Sequence, residues 1–230
     1  MPREDILTSV HKGLRAMIYD TGRELQTTDF TNTAQSEAIC ERLAVEFKGA
    51  SSACAVCWLS SHAADENRAL FSVMRDHERE LIEILVHEHE EIEKRIDAIG
   101  ALSRDLVDHT DPSGRVEVGV KLNRAANDLF GYYIAHMNKE EETLVPATWK
   151  YFTDAQLSAI RASVQAAMPP ERLAVMLRWI ISAQNVNEIV GFLTRMKASA
   201  PPAVYAGMAQ LAEQTLGPDR WGEVIERISP

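Results

Sequence analysis

Apolar residues recur along this chain at intervals of three and four, the spacing that gathers them on one face of an α-helix, and strand-like alternation is scarce. Leu7, Val10, Leu14 and Ile18 define such a face and predict a helix from about Glu4 to Thr21. A second helix is expected to start near Asn32 or Thr33, where a short polar side chain can cap the first turn, and to continue past Trp58. A third covers roughly Glu78 to Leu106. The segment DHTDPSGR (108–115) has the composition of a loop, and a fourth helix then runs to Leu144, ending before Pro146. Four long amphipathic helices joined by short connections predict an all-α, antiparallel up-and-down four-helix bundle over residues 1–150.

After Tyr151 the punctuation changes. FTDAQ offers a capping box from Thr153 to Gln156, and the pairs Pro169-Pro170, Pro201-Pro202 and Gly217-Pro218 divide residues 151–230 into four shorter helices. These form a C-terminal helical extension that we expect to pack on the bundle. There is no repeat period and no low-complexity tract.

Composition narrows the function. The chain has 230 residues, enough for a substantial core, and its 46% hydrophobic and 25% charged residues are ordinary for a globular protein. No apolar run approaches the roughly 20 residues that span a bilayer, and the opening MPREDILTSV is charged where a signal peptide would be apolar, so a cytoplasmic setting is expected. A net charge of −10 without a Lys/Arg cluster argues against nucleic acid or an anionic membrane as partner, and suits bound cations. Of the three cysteines, Cys54 and Cys57 form a CxxC with no second copy to complete a zinc site, and they read as small buried side chains.

The candidate chemistry lies in a repeated pair. HMNKEEETLVP places His136 four residues before Glu140, SSHAADENRALF does the same with His62 and Glu66, and VHEHEEIEKRI with His89 and Glu93. Residues at i and i+4 project from one helix face, so each pair could offer a nitrogen and an oxygen to one metal centre. The neighbours give the direction. His89 shares its face with Ile82, Leu85, Ile92 and Ile96, whereas His87 lies among Glu83, Glu90, Glu91 and Lys94. His62 follows Trp58 and Leu59, His136 follows Leu129, Tyr132 and Tyr133, and His11 falls between Leu7, Leu14 and Ile18. One histidine on an apolar face is an ordinary core residue, but three inward pairs would bury carboxylates at great cost unless a cation compensates them. Mixed imidazole and carboxylate ligation suits iron, manganese or zinc, and the seven candidates His11, His62, Glu66, His89, Glu93, His136 and Glu140 are too many for a single ion.

This order of residues resembles the hemerythrin-like, or HHE cation-binding, family over roughly residues 4–150. SVHKGLR, SSHAADENRALF, HEHEEIE and HMNKEEETLVP are similar to the hemerythrin domains of iron-sensing ubiquitin ligases of plants and animals, and PPERLAVMLRWIISA looks like the segment that follows the plant domains. The resemblance implies two iron ions, oxo- or hydroxo-bridged, in a four-helix bundle. Carried over by residue, His11 and His62 would hold one iron, His89 and His136 the other, and Glu66 and Glu140 would bridge them. The chain departs from oxygen-carrying members on helix three, where Glu93 stands in place of a histidine. A carboxylate ligand there would favour ferric iron and speak against reversible oxygen carriage. Tyr132 and Tyr133, one turn before His136, read as core packing or as phenols near the metals that could donate to a bound peroxide or ligate ferric iron.

Three function classes stay open on the sequence. The first is a di-iron protein that binds oxygen or a related small molecule as a sensor or stress-response factor. The second is an enzyme that activates oxygen or consumes peroxide. The third is a metal-stabilised interaction module that meets a protein partner through the extension.

Overall fold

The computed structural model describes residues 3–47 and 58–228, which are helices and their connections with no strand among them. Four rods build the bundle. The first is α1 (Thr8–Thr27). The second comprises α2 (Thr33–Glu46), α3 (Trp58–Glu66) and α4 (Ser72–Met74), the last two joined by a π-helical turn at Asn67–Phe71. The third is α5 (Arg79–Asp108). The fourth joins α6 (Pro112–Lys139) to α7 (Val145–Tyr151) through a second π-helical turn at Glu140–Leu144. The segment that carries Cys54 and Cys57 lies outside the described residues.

Cross-links between rods fix their directions. Arg15 reaches Asn138 and Gln26 reaches Asn123, so α1 and α6 are antiparallel. Arg95 with Asp128 and Glu88 with His136 make α5 and α6 antiparallel. Cys40 to the Ser103 carbonyl and Asn67 to His89 do the same for the second rod against α5. Caps hold the entries: Asn32 accepts from the Gln35 N–H, and Asp111, before Pro112, accepts from the Gly114 N–H. Helix α1 starts at Thr8 rather than near Glu4, because the Asp5 carboxylate takes up the N–H groups of Leu7 and Thr8, and it runs on to Thr27 with Leu25 still buried.

The fourth rod does not stop at Pro146. In an α-helix the ring of a proline collides with the carbonyl one turn back. Here the wide turn before it, in which the Val145 N–H reaches back to Glu140, moves those carbonyls, and the helix continues to Tyr151.

The bundle's core is split in two. Leu14, Leu59, Ile92 and Tyr133 belong to a large apolar cluster at one end, and Leu7, Phe71, Leu85 and Leu144 to a smaller one at the other. On each rod buried polar side chains stand between these clusters, namely His11, His62 and Glu66, His89, and His136 and Glu140. Every rod therefore carries its histidine into the same layer.

The extension consists of α8 (Asp154–Ala167), α9 (Pro170–Ala183), α10 (Val186–Ser199) and α11 (Pro202–Ile228), the last broken at Gly217, whose φ of 72° only glycine adopts freely. The capping box at Thr153 and Gln156 is present. A break at Gln184 comes in addition to the expected ones, and Asn185 with Glu188 forms a second capping box there. Helix α9 lies on α1. Met168 and Met176 join the bundle's larger cluster, and Arg172 pairs with Asp65 while Lys12 pairs with Glu188. No helix among the described residues is long and apolar enough to cross a membrane.

Gly13 lets α1 and α9 approach. A Cβ there would stand 2.7 Å from the Trp58 ring and 3.0 Å from the backbone nitrogen of Ile180. On an open helix face Gly→Ala stabilises by roughly 0.5–1 kcal/mol. We expect this at Gly131, where nothing lies within 4 Å. At Gly13 overpacking reverses the sign, and Gly13→Ala should cost about 1–3 kcal/mol in urea denaturation. A stabilised Gly13 variant would contradict the packing described.

Candidate metal centre

Glu66 and Glu140 occupy the middle of the polar layer. Both are buried, and both stand at the entry to a π-helical turn. The local sequence explains the turns. His62, Glu66, Leu70 and Met74 follow one another at strict intervals of four, as do His136, Glu140, Leu144 and Thr148, and all eight are buried. Each step of four overshoots a full α-helical turn by about 40°, so three steps would carry the last residue out of the core. A wide turn absorbs the excess and keeps the whole run facing inward. On α5 the buried positions His89, Ile92, Ile96 and Ile99 alternate steps of three and four, and the helix stays regular.

Six of the seven sequence candidates converge, in two groups that share Glu66: Glu66, His89, His136 and Glu140, and His11, His62 and Glu66. Glu66 Oε1 lies 3.2 Å from His62 Nε2 and 3.7 Å from His11 Nε2, while its Oε2 lies 3.4 Å from His89 Nε2. Glu140 mirrors this, with Oε2 at 3.5 Å from His11 Nε2 and Oε1 at 3.3 Å from His136 Nε2 and 4.0 Å from His89 Nε2. Each carboxylate thus turns one oxygen to each side of the layer.

All eight of these inward atoms, four Nε2 and four carboxylate oxygens, are buried without a hydrogen-bond partner. Buried polar atoms are normally bonded, and leaving a charged one unpaired is expensive. Charge-assisted hydrogen bonds would draw such pairs in to about 2.7–2.9 Å. The wider spacing instead suits atoms arranged around a common point, since two ligand atoms at about 2.1 Å from one ion and at right angles stand about 3 Å apart. Bound cations would satisfy every one of these atoms.

The outward ring nitrogens of His11, His136 and His89 are held. His11 Nδ1 meets Glu141 Oε1 at 2.9 Å, His136 Nδ1 meets Glu88 Oε2 at 2.8 Å, and His89 Nδ1 meets Asn67 Oδ1 at 3.1 Å. These partners turn each Nε2 inward. Sequence reasoning missed all three, although each is adjacent in the chain to a candidate ligand: Asn67 follows Glu66, Glu88 precedes His89 and Glu141 follows Glu140. Phe71 stacks on the His89 ring.

Glu93 stands outside both groups and is half-buried on α5. Helix direction gives the reason. The α3 and α6 rods run parallel, so the step from histidine to glutamate moves Glu66 and Glu140 towards the layer's centre. On antiparallel α5 the same step goes the other way, towards Tyr133, whose phenol it helps push up. Burial is the main cause of that shift, and Tyr133 donates its hydroxyl proton to the Leu59 carbonyl at 3.1 Å. Tyr132 lies under the Arg95 guanidinium, 4.1 Å from its ring centre. His87 is exposed beside Glu90, and His109 caps α5 next to the loop.

Without a cation the layer must be neutralised by protons. His11 and His136 are both pushed up to about 9. Burial works against this and is outweighed, for His11 by the Glu141 hydrogen bond and the proximity of Glu66 and Glu140, and for His136 by the charge of Glu140 with help from Glu66 and Glu88. Glu66 is held well below the usual carboxylate range; its burial is overcome by His62 and the neighbouring imidazoles. Since the two histidines bind protons more tightly folded than unfolded, their contribution to stability is complete below about 6.5 and lost as pH rises through about 9. The depressed Glu66 contributes above its ordinary value of 4.5 and is lost in acid. Chelator-treated protein should therefore melt at falling temperature between pH 6.5 and 9, and a flat profile over that range would count against this charge balance.

A search of curated proteins and one of solved structures gave no match. The model of the hemerythrin HHE cation binding domain matches residues 4–148, which takes in the first three rods, the fourth as far as Thr148 and every convergent side chain. With that match and this buried His/Glu layer, the chain belongs to the hemerythrin HHE cation-binding family.

Proposed function

We propose that the centre holds two iron ions, His11 and His62 gripping one, His89 and His136 the other, and Glu66 and Glu140 spanning both, in a protein that binds oxygen or a related small molecule in oxygen, iron or oxidative-stress sensing. The observation that carries this reading is the set of eight inward atoms without a partner, divided evenly between imidazole nitrogens and carboxylate oxygens. Two metals sharing carboxylates use all of them, and nitrogen with anionic oxygen suits iron. When bound, iron supplies reversible one-electron chemistry and an affinity for oxygen and peroxide.

The protein's own residues do the remaining work. Glu66 and Glu140 supply two negative charges to offset those of the cations. Glu141, Glu88 and Asn67 hold the imidazoles of His11, His136 and His89 in one orientation. The two apolar clusters on either side exclude water. His62 is the most exposed of the four imidazoles, at 8%, and marks the side from which a small molecule would reach the layer. Protein association through the extension is a further part of this proposal; the extension meets α1 and α3 next to His11 and Glu66.

Protein purified in air should carry about two irons per chain and absorb in the near ultraviolet as ferric clusters do. His62→Ala and His136→Ala should lose most of the metal, whereas His87→Ala and His109→Ala should keep it. One zinc per chain without iron would refute the iron reading and leave an interaction module. Rapid peroxide consumption would move the protein to the enzyme class.

A further inference from the structure

Beyond the six convergent side chains, one arrangement occurs twice. His11 is backed by Glu141, a carboxylate from another rod, and Glu141 is in turn bound by Arg15, four residues after His11, at 2.8 Å. His136 is backed by Glu88, again from another rod, and Glu88 is bound by Lys139, three residues after His136. In both cases the histidine's own helix supplies the cation and a neighbouring helix the carboxylate. The contrast is His89, backed by the neutral amide of Asn67.

This repetition has a physical consequence. A carboxylate that accepts from Nδ1–H fixes the tautomer, leaves the Nε2 lone pair pointing inward and makes that nitrogen a stronger donor. The cation beyond it holds the carboxylate in place. Glu141 is 24% and Glu88 14% exposed at the side chain, so both charges are only weakly screened by solvent. The negative charge that Glu93 would have brought to the centre comes instead from behind the imidazoles.

We propose that Glu141 and Glu88 are positioning residues that orient His11 and His136 and raise metal affinity, one on each side of the layer. The proposal rests on the metal-centre reading but not on the identity of the metal, and cobalt(II) serves as the probe. The full chain, stripped of metal, is titrated with cobalt(II) against a chelator while the visible d–d bands are recorded. A glutamine amide oxygen can still accept from Nδ1–H but carries no charge, so Glu141→Gln and Glu88→Gln should keep two cobalt ions and the wild-type band pattern, with affinity about tenfold lower. Glu141→Ala and Glu88→Ala lose both effects and should bind about 100-fold more weakly, with altered bands. Glu142→Ala, an exposed neighbour, should match wild type.

Alanine variants with wild-type affinity and bands, whatever their melting temperature, would overturn the proposal. Glutamine variants as weak as the alanine ones would overturn the orienting role. If wild-type protein itself takes up no cobalt, the metal-centre reading fails, and this inference with it.

Discussion

Four imidazoles and two carboxylates are enclosed midway along an apolar bundle with no partner on their inward atoms, and the need to compensate them governs the structure around them. A charge buried in such surroundings costs several kcal/mol unless something pairs with it. The layer therefore divides the core into two apolar clusters, forces two helices into wide turns at the glutamates, and draws a carboxylate to the back of two histidines. Each of these features is costly or unusual alone. Together they hold one set of side chains in one place.

Directional logic ties fold to chemistry. Because the rods alternate in direction, identical HxxxE spacing on three of them does not have identical results. Glu66 and Glu140 step into the layer, and Glu93 steps out of it. The family resemblance implied the pairing of His11 with His62 and of His89 with His136; Glu66 Oε1 and Glu140 Oε2 face the first two, and Glu66 Oε2 and Glu140 Oε1 face the other two. The extension fastens to α1 and α3 at Lys12 and Asp65, each next to a residue of the layer, so the spacing of these two helices is shared between the layer and α9–α10.

Much of this was legible in the chain. Periodicity gave the helices, and the apolar neighbours of His11, His62, His89 and His136 gave their inward direction, because burial is set by the helix face and the face can be counted. Pro146 was misread since a proline marks a helix end only when the turn before it is α-helical. The signal for a wide turn was present in the unbroken fours of His136, Glu140, Leu144 and Thr148. The break at Asn185 was likewise written in its capping box with Glu188. Glu88, Glu141 and Asn67 could not be picked out, because contacts between rods depend on rotation and register that no single helix encodes. The same limit applies to Glu93, whose spacing from His89 is right and whose helix runs the wrong way.

The most direct test is a crystal structure of the iron-loaded protein with anomalous data collected at the iron edge. Two peaks about 3.5–4 Å apart are predicted, one touched by His11 and His62, the other by His89 and His136, with an oxygen of Glu66 and of Glu140 on each and Glu93 on neither. A single peak, or one coordinated by Glu93, would contradict the account.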